Sequence, residues 1–99
     1  MSIVLIGGHD RMHNEYKAMC LKFGHDIKVY TQMPKRFEKL IGNPDGIVLF
    51  TSTVSHQMVK TAVKEAKRKN IPVIRSHSSS ACSLKSSIQQ LEELSGSPA

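Results

Sequence analysis

The sequence predicts an α/β fold, a three-layer sandwich around a four-stranded parallel sheet, with the connectivity βαβαβαβα. Apolar, β-rich segments alternate with helical segments along the chain, which is the pattern of α/β proteins. Residues 47–50 form an unbroken apolar run, which is typical of a strand covered on both faces. Because parallel crossovers are right-handed, few arrangements remain, and we expect the strand order 2-1-3-4, Rossmann-like or flavodoxin-like.

Length and composition indicate one globular domain. The chain has 99 residues, of which 39% are hydrophobic and 22% charged. We expect a single domain over residues 1–94 and a flexible tail at 95–99. No apolar run approaches the roughly 20 residues of a membrane helix, and no basic region precedes the first apolar segment. We therefore expect no membrane partner, a cytoplasmic location, and reduced thiols at Cys20 and Cys82.

The first predicted strand ends at a glycine pair. Ser2–Ile6 supplies the strand, and Gly7 and Gly8 allow a ligand to approach the backbone closely. The dinucleotide fingerprint Gly-x-Gly-x-x-Gly is absent, since residues 7–12 read Gly-Gly-His-Asp-Arg-Met. We expect Asp10 to cap the following helix. The apolar side of that helix is predicted to consist of Met12, Tyr16, Met19, Cys20 and Phe23.

The second strand leads to a short helix. Gly24 marks the end of the first helix, and Asp26–Tyr30 is rich in β-forming residues. Pro34 suits the first turn of a short helix. Residues 42–46, Gly-Asn-Pro-Asp-Gly, end that helix. Its inner face is predicted to consist of Phe37, Leu40 and Ile41.

The central strand runs into hydroxyl side chains and then into a basic helix at 55–69. The basic residues of this helix face solvent in the simplest interpretation, and several lie in its last turn, where they suit the helix dipole. In open α/β sheets ligands bind at the carboxyl ends of the strands. The hydroxyl residues at this end are Thr51, Ser52, Thr53 and Ser55.

The fourth strand is predicted at residues 71–74 and precedes a polar loop. Pro72 suits the start of a strand or a sheet edge. Residues 75–80 read Arg-Ser-His-Ser-Ser-Ser, and a final helix follows. In the order 2-1-3-4 the connections after strands one and three leave in opposite directions, so residues 7–9 and 51–53 should meet there, with 75–80 beside them.

These features resemble the small bacterial Rossmann-like family called domain of unknown function 2325, over residues 3–91. The chain departs from the family pattern at His9, where arginine is frequent, and after strand two, where it lacks a His-Asp-Gly-Gly-like turn. The resemblance implies a Rossmann-like fold and a ligand site, and it implies no reaction. The matching positions are Gly7, Gly8, Ser55, His56, Lys60, Arg75, Ser76, Ser78 and Ser79.

The favoured function is binding of an anionic small ligand, phosphate-like or nucleotide-like, at the carboxyl edge. Helix N-termini near Ser55 and Ser80 would present free N–H groups and partial positive charge, with Arg75 and Lys60 adding full charges. The simpler alternative is that the hydroxyls only cap helices. The sequence specifies neither the ligand nor a cofactor. The candidate ligand-binding residues are Gly7, Gly8, His9, Thr51, Ser52, Thr53, Ser55, His56, Lys60, Arg75, Ser76, Ser78 and Ser79.

Other classes of function remain open. A regulatory protein-interaction module is one, supported by fold analogy. No nucleophile elbow or other catalytic constellation is present, which leaves enzyme activity undecided. The net charge of +6 raises nucleic acid as a partner, but no aromatic residues are interleaved with the basic run, so it is not favoured. A metal or haem site would use His9, His13, His56 and His77, although no Cys-x-x-Cys or His-Glu-x-x-His spacing exists.

Self-association is expected from the open sheet. Such a sheet has two edge strands, and proteins usually cover, charge or pair them. Strand four is short and only partly protected by Pro72. We therefore predict a homodimer.

Overall fold

The computed structural model describes residues 2–32 and 35–94. The predicted Pro34 turn and the predicted tail at 95–99 lie outside these residues. The described chain forms one four-stranded parallel sheet in the order β2-β1-β3-β4, which confirms the predicted fold class and strand order. The elements are β1 Ser2–Ile6, α1 His13–Lys22, β2 Asp26–Tyr30, α2 Phe37–Ile41, β3 Gly46–Phe50, α3 His56–Lys69, β4 Val73–Ser76 and α4 Ala81–Leu94.

The core has two halves, one on each face of the sheet. Every residue of β3 is buried, because β3 lies between two strands and two helical layers. This explains its unbroken apolar run, and each fully buried large apolar side chain contributes about 1.5–3 kcal/mol. Helices α1 and α4 cover one face, with Ile3, Leu5, Tyr16, Cys20, Val48, Phe50, Ile74, Leu84, Ile88 and Leu91 between them and the sheet. Helices α2 and α3 cover the other, over Val4, Ile6, Phe37, Ile41, Ile47, Leu49, Met58, Ala62 and Ala66.

The helices depart from the sequence prediction in detail. Asp10 does not cap α1: it opens a 3-10 turn, Asp10–Met12, and its carboxylate accepts a hydrogen bond from the Thr31 hydroxyl at the end of β2. Phe23 is 41% exposed because α1 ends at Lys22. Leu40 is 42% exposed, so it does not belong to the inner face of the five-residue α2, contrary to the prediction. None of the described helices has the length and apolar character needed to cross a membrane.

Strand β4 starts two residues later than predicted and extends through Ser76. The pairing with β3 sets this end, since Arg75 lies opposite Leu49 and the Thr51 N–H donates to the Ser76 carbonyl at 2.8 Å. Ending β4 at Ile74 would leave buried backbone groups of β3 without partners. Arg75 is therefore a residue of the strand itself.

Candidate functional site

A depression of about 400 Å³ lies where β1, β3 and β4 end. The strand order produces it, because β3 is hydrogen-bonded to both β1 and β4 and all three run in the same direction. The loops that leave these strands therefore meet at one edge. The depression is lined by His9, Met12, Ser52, Thr53, His77, Ser78, Ser79 and Ser80.

The hydroxyl of Thr53 joins the three loops. Its oxygen accepts a 2.7 Å hydrogen bond from the Gly8 N–H and lies 3.0 Å from the Ser79 hydroxyl oxygen. It also lies 3.3 Å from the Phe50 carbonyl, to which it donates. One hydroxyl has a single donor and two acceptor positions, so these three neighbours match its full capacity. Thr53 thus fixes the glycine turn (Gly7 and Gly8) and the serine loop (residues 76–80) relative to the end of β3.

The glycine pair is required by geometry. Gly7 and Gly8 have φ values of +103° and +89°, which L side chains rarely adopt. A Cβ on Gly8 would lie 2.8 Å from a ring carbon of Tyr16 and 2.9 Å from its hydroxyl oxygen. A Cβ on Gly7 would lie 2.9 Å from the Phe50 carbonyl oxygen. The backbone here passes closely over both β3 and α1.

Tyr16 supports the depression from below, a role that sequence reasoning missed. Its hydroxyl donates to the Ser79 carbonyl at 2.6 Å and lies 3.6 Å from the Met12 sulfur. Burial raises the pKa of the phenol, and the nearby backbone of His9 opposes that shift. The available signal was a lone hydroxyl in the apolar stripe of α1, since a buried tyrosine hydroxyl almost always has a partner.

The serine loop ends in the cap of α4. The Ser76 hydroxyl donates to the Ser78 carbonyl at 3.0 Å, and the Ser78 hydroxyl donates to the Ser80 oxygen at 3.3 Å. The Ser83 N–H donates to the Ser80 oxygen at 3.2 Å, so Ser80 caps α4. The first N–H groups of α4 have no preceding helical turn to accept them, which makes this end of the helix electropositive. Ser80 lines the depression, so the N-terminus of α4 borders it.

Apart from Lys60 and Arg75, the predicted site residues separate into three groups. Thr51 and Ser76 lie behind the depression, joined by the backbone bond between β3 and β4. Ser55 caps α3 by accepting from the Met58 N–H at 3.2 Å, and His56 is exposed in the first turn of that helix. The third group lines or borders the depression: Gly7, Gly8, His9, Ser52, Thr53, Ser78 and Ser79, joined by His77 and Ser80.

Arg75 and Lys60 lie in a different hollow. Side chains alternate along a strand, and Ile74 packs on the α1 and α4 face, so Arg75 faces α3. It lines a hollow of about 420 Å³ together with Val59, Lys60, Val63, Lys64 and Lys67. The structure therefore does not bring Arg75 or Lys60 to the serine loop.

The histidine candidates for a metal site do not gather. His9 and His77 line the depression, whereas His13 begins α1 and His56 begins α3. Within residues 2–32 and 35–94, no group of three histidine, cysteine, aspartate or glutamate side chains is placed to hold a metal ion.

Comparison with known proteins identifies a family and no characterised relative. Neither the curated proteins nor the solved structures contain a match. A family model described as "Uncharacterized protein conserved in bacteria (DUF2325)" matches residues 2–91. That range runs from β1 into the last turn of α4 and includes every residue that lines the depression. The chain therefore belongs to the family DUF2325.

Proposed function

We propose that this protein binds an anionic small ligand, phosphate-like or nucleotide-like, in the depression at the carboxyl edge of the sheet. The observation that carries the proposal is the convergence of five hydroxyls and the N-terminus of α4 on one depression. The five residues are Ser52, Thr53, Ser78, Ser79 and Ser80.

The chemistry of the lining favours an anion. The Ser52 hydroxyl, which has no hydrogen-bond partner among the described residues, and the first N–H groups of α4 can donate hydrogen bonds to an anion, and the dipole of α4 places partial positive charge at the same point. The Thr53 hydroxyl already donates to the Phe50 carbonyl, so it positions the loops around the ligand. The lining residues of the depression include no aspartate or glutamate. The net charge of +6 also favours the approach of an anion.

The size of the depression suits a small molecule. Its volume of about 400 Å³ falls within the usual range of small-molecule sites, about 300–1,000 Å³. It offers two imidazoles, from His9 and His77, and one thioether, from Met12, beside the hydroxyls. These groups would lie against the non-phosphate part of a nucleotide-like ligand. A reducing cytoplasm suits the two free thiols, Cys20 and Cys82, and is part of the proposal.

The direct test is an NMR titration of amide resonances with inorganic phosphate, sulfate and adenosine monophosphate. The proposal expects saturable shifts of His9, Thr53, Ser79 and Ser80. Shifts confined to Lys60, Lys64 and Arg75 would place anion binding in the other hollow. The absence of a saturable shift with any of the three anions would reject the proposal.

A further inference from the structure

A second hollow lies on the face of the sheet that α2 and α3 cover, and it takes no part in the proposed anion site. Its floor is apolar, formed by Val59 and Val63 of α3. Its walls carry four cations, Lys60, Lys64, Lys67 and Arg75. We infer that this α3–β4 hollow docks an extended acidic peptide segment of a partner protein, which adds to the sheet as a strand beside β4.

The four cations have no ion-pair partner among the described side chains. In the described part of the chain the ion pairs of α3 all involve Glu65, which lies 2.7 Å from Arg68 and 3.6 Å from Lys69. The Arg68 hydrogen bond lowers the pKa of the Glu65 carboxyl, burial opposes this, and the charges of Arg68 and Lys69 lower it further. Lys69 also donates to the Gly42 carbonyl at 2.6 Å, which places this paired group next to α2. Within the described part of the chain, the four cations of the hollow thus form no ion pair, as a surface for an acidic partner requires.

The edge of β4 offers backbone groups to an incoming strand. The Pro72 carbonyl accepts from the Ile47 N–H at 3.0 Å, and the Ser76 carbonyl accepts from the Thr51 N–H at 2.8 Å. In a parallel strand alternate residues bond to opposite sides, so the backbone groups of Val73 and Arg75 point away from β3. Among the described residues no strand lies beyond β4. An extended peptide can pair with these groups by strand addition.

The spacing of the cations fits an extended segment. Lys60 and Lys67 are separated by about 10 Å along the axis of α3, from a rise of about 1.5 Å per residue. Same-face side chains of an extended strand recur about every 7 Å. Two or three acidic residues at alternate positions would therefore match the row of lysines. The apolar floor accommodates any apolar side chains on the same face of the peptide.

Charge argues against a second copy of this chain as the occupant. Pairing β4 with β4 of another copy would bring both sets of four cations together, and like charges on facing strands destabilise such a pair. The predicted homodimer stays a prediction, and this edge is the wrong surface for it.

The chemistry of the hollow also favours a peptide over a nucleic acid. Single-stranded nucleic acids bind through aromatic side chains on which the bases stack, and no aromatic residue lines this hollow. The outward N–H and C=O groups of β4 can form hydrogen bonds with a peptide backbone. A nucleic acid has no such backbone.

The experiment measures fluorescence anisotropy of a short peptide in which glutamate alternates with valine. A matched peptide carries lysine for glutamate, and a single-stranded oligonucleotide serves as the third probe. We expect the glutamate peptide to bind with an affinity that falls as salt is raised, and the other two to bind at least about tenfold more weakly. Equal or tighter binding of the oligonucleotide would overturn the proposal, as would no difference between the two peptides.

Charge reversal localises the binding. Lys64→Glu should weaken the glutamate peptide roughly tenfold, because it replaces attraction by repulsion at the centre of the row. Lys22→Glu is the matched control, since Lys22 is an exposed lysine on α1, on the other face of the sheet. Equal effects of the two substitutions would show attraction to net charge alone and would overturn the proposal.

Backbone methylation of the peptide tests strand addition without altering the protein. Methyl groups on alternate amides block one edge of the peptide strand, and shifting them by one residue blocks the other edge. We expect one of the two methylated peptides to bind like the parent peptide and the other to lose binding. Equal binding of both would overturn the strand-addition geometry.

Discussion

The hydroxyl of Tyr16 donates a 2.6 Å hydrogen bond to the main-chain carbonyl of Ser79, 63 positions away in the sequence. The Tyr16 ring also lies against the glycine turn, since a Cβ built on Gly8 would be 2.8 Å from a ring carbon. One buried side chain of α1 thus contacts both the glycine turn and the serine loop, the two segments that border the candidate site.

Replacing Tyr16 by phenylalanine should destabilise the fold by about 1–3 kcal/mol, because it leaves the buried Ser79 carbonyl without its partner. The ring should stay in place, since it packs against Phe50 with centroids 5.7 Å apart. Urea denaturation measures the loss. Tyr30→Phe is the control: its hydroxyl makes an exposed 3.4 Å contact with the Leu40 carbonyl and should cost little. Equal losses would contradict the assigned role of Tyr16.

Alanine at Gly8 should be more costly than alanine at Gly24. Both glycines have positive φ, +89° and +79°, so both substitutions incur the backbone strain of about 1–3 kcal/mol. A Cβ at Gly8 also meets the Tyr16 ring at 2.8 Å, whereas one at Gly24 has no atom within 4 Å. The difference between the two unfolding free energies isolates the steric part. Two equal losses would show that Tyr16 can move aside.

The fold was predictable because its main determinants are local in the sequence. The unbroken apolar run at 47–50 identifies the buried central strand. The glycine turn follows β1 and the hydroxyl residues 51–53 follow β3, and these two strands are neighbours in the sheet. The convergence of the glycine turn with residues 51–53 then follows from the topology alone.

The details that sequence reasoning missed depend on distant partners. Arg75 reads as a loop residue because it is polar, and only its pairing opposite Leu49 makes it part of β4. The alternation of that strand then directs its side chain away from the serine loop. Aspartate is a common helix cap, but the carboxylate of Asp10 accepts a hydrogen bond from the Thr31 hydroxyl instead.

Alkaline pH should destabilise the protein through Cys20. Burial raises the pKa of this thiol from 9.0 to about 11. Above pH 9 the unfolded thiol loses its proton first, so the free energy of unfolding should fall between about pH 9 and pH 11. The raised pKa of Tyr16 acts in the same direction at higher pH. Denaturant midpoints measured across this range should fall less steeply in Cys20→Ala. An identical slope in that variant would contradict the role of Cys20.

The two thiols should differ in reactivity. Cys20 is fully buried with a raised pKa, and Cys82 is exposed in the first turn of α4. A thiol reagent at neutral pH should modify one thiol per native chain quickly and the second only after denaturation. Cys82→Ser should remove the fast reaction. A fast reaction that persists in this variant would mean that α1 opens readily.

Removing the Ser52 hydroxyl should weaken anion binding without changing stability. Ser52 is exposed and lines the depression, and its hydroxyl makes no hydrogen bond to other described residues. Ser52→Ala therefore removes a hydrogen-bond donor that only the ligand would use. A lost hydrogen bond to a charged group costs about 1.5–3 kcal/mol, which raises the Kd for phosphate by about tenfold or more.

Two substitutions make this test specific. Ser86→Ala removes an exposed serine of α4 that does not line the depression, and it should change neither stability nor binding. Arg75→Ala removes a full positive charge from the other hollow. If the anion binds beside the serine loop, Arg75→Ala should leave phosphate protection in thermal melts nearly intact, whereas Ser52→Ala should reduce it. The reverse result would place the anion between α3 and β4, where a guanidinium can hold it with two parallel hydrogen bonds. Loss of protection in both variants would indicate that net charge or altered structure, and no single hollow, controls phosphate binding. That result would contradict the hydroxyl depression as the binding site.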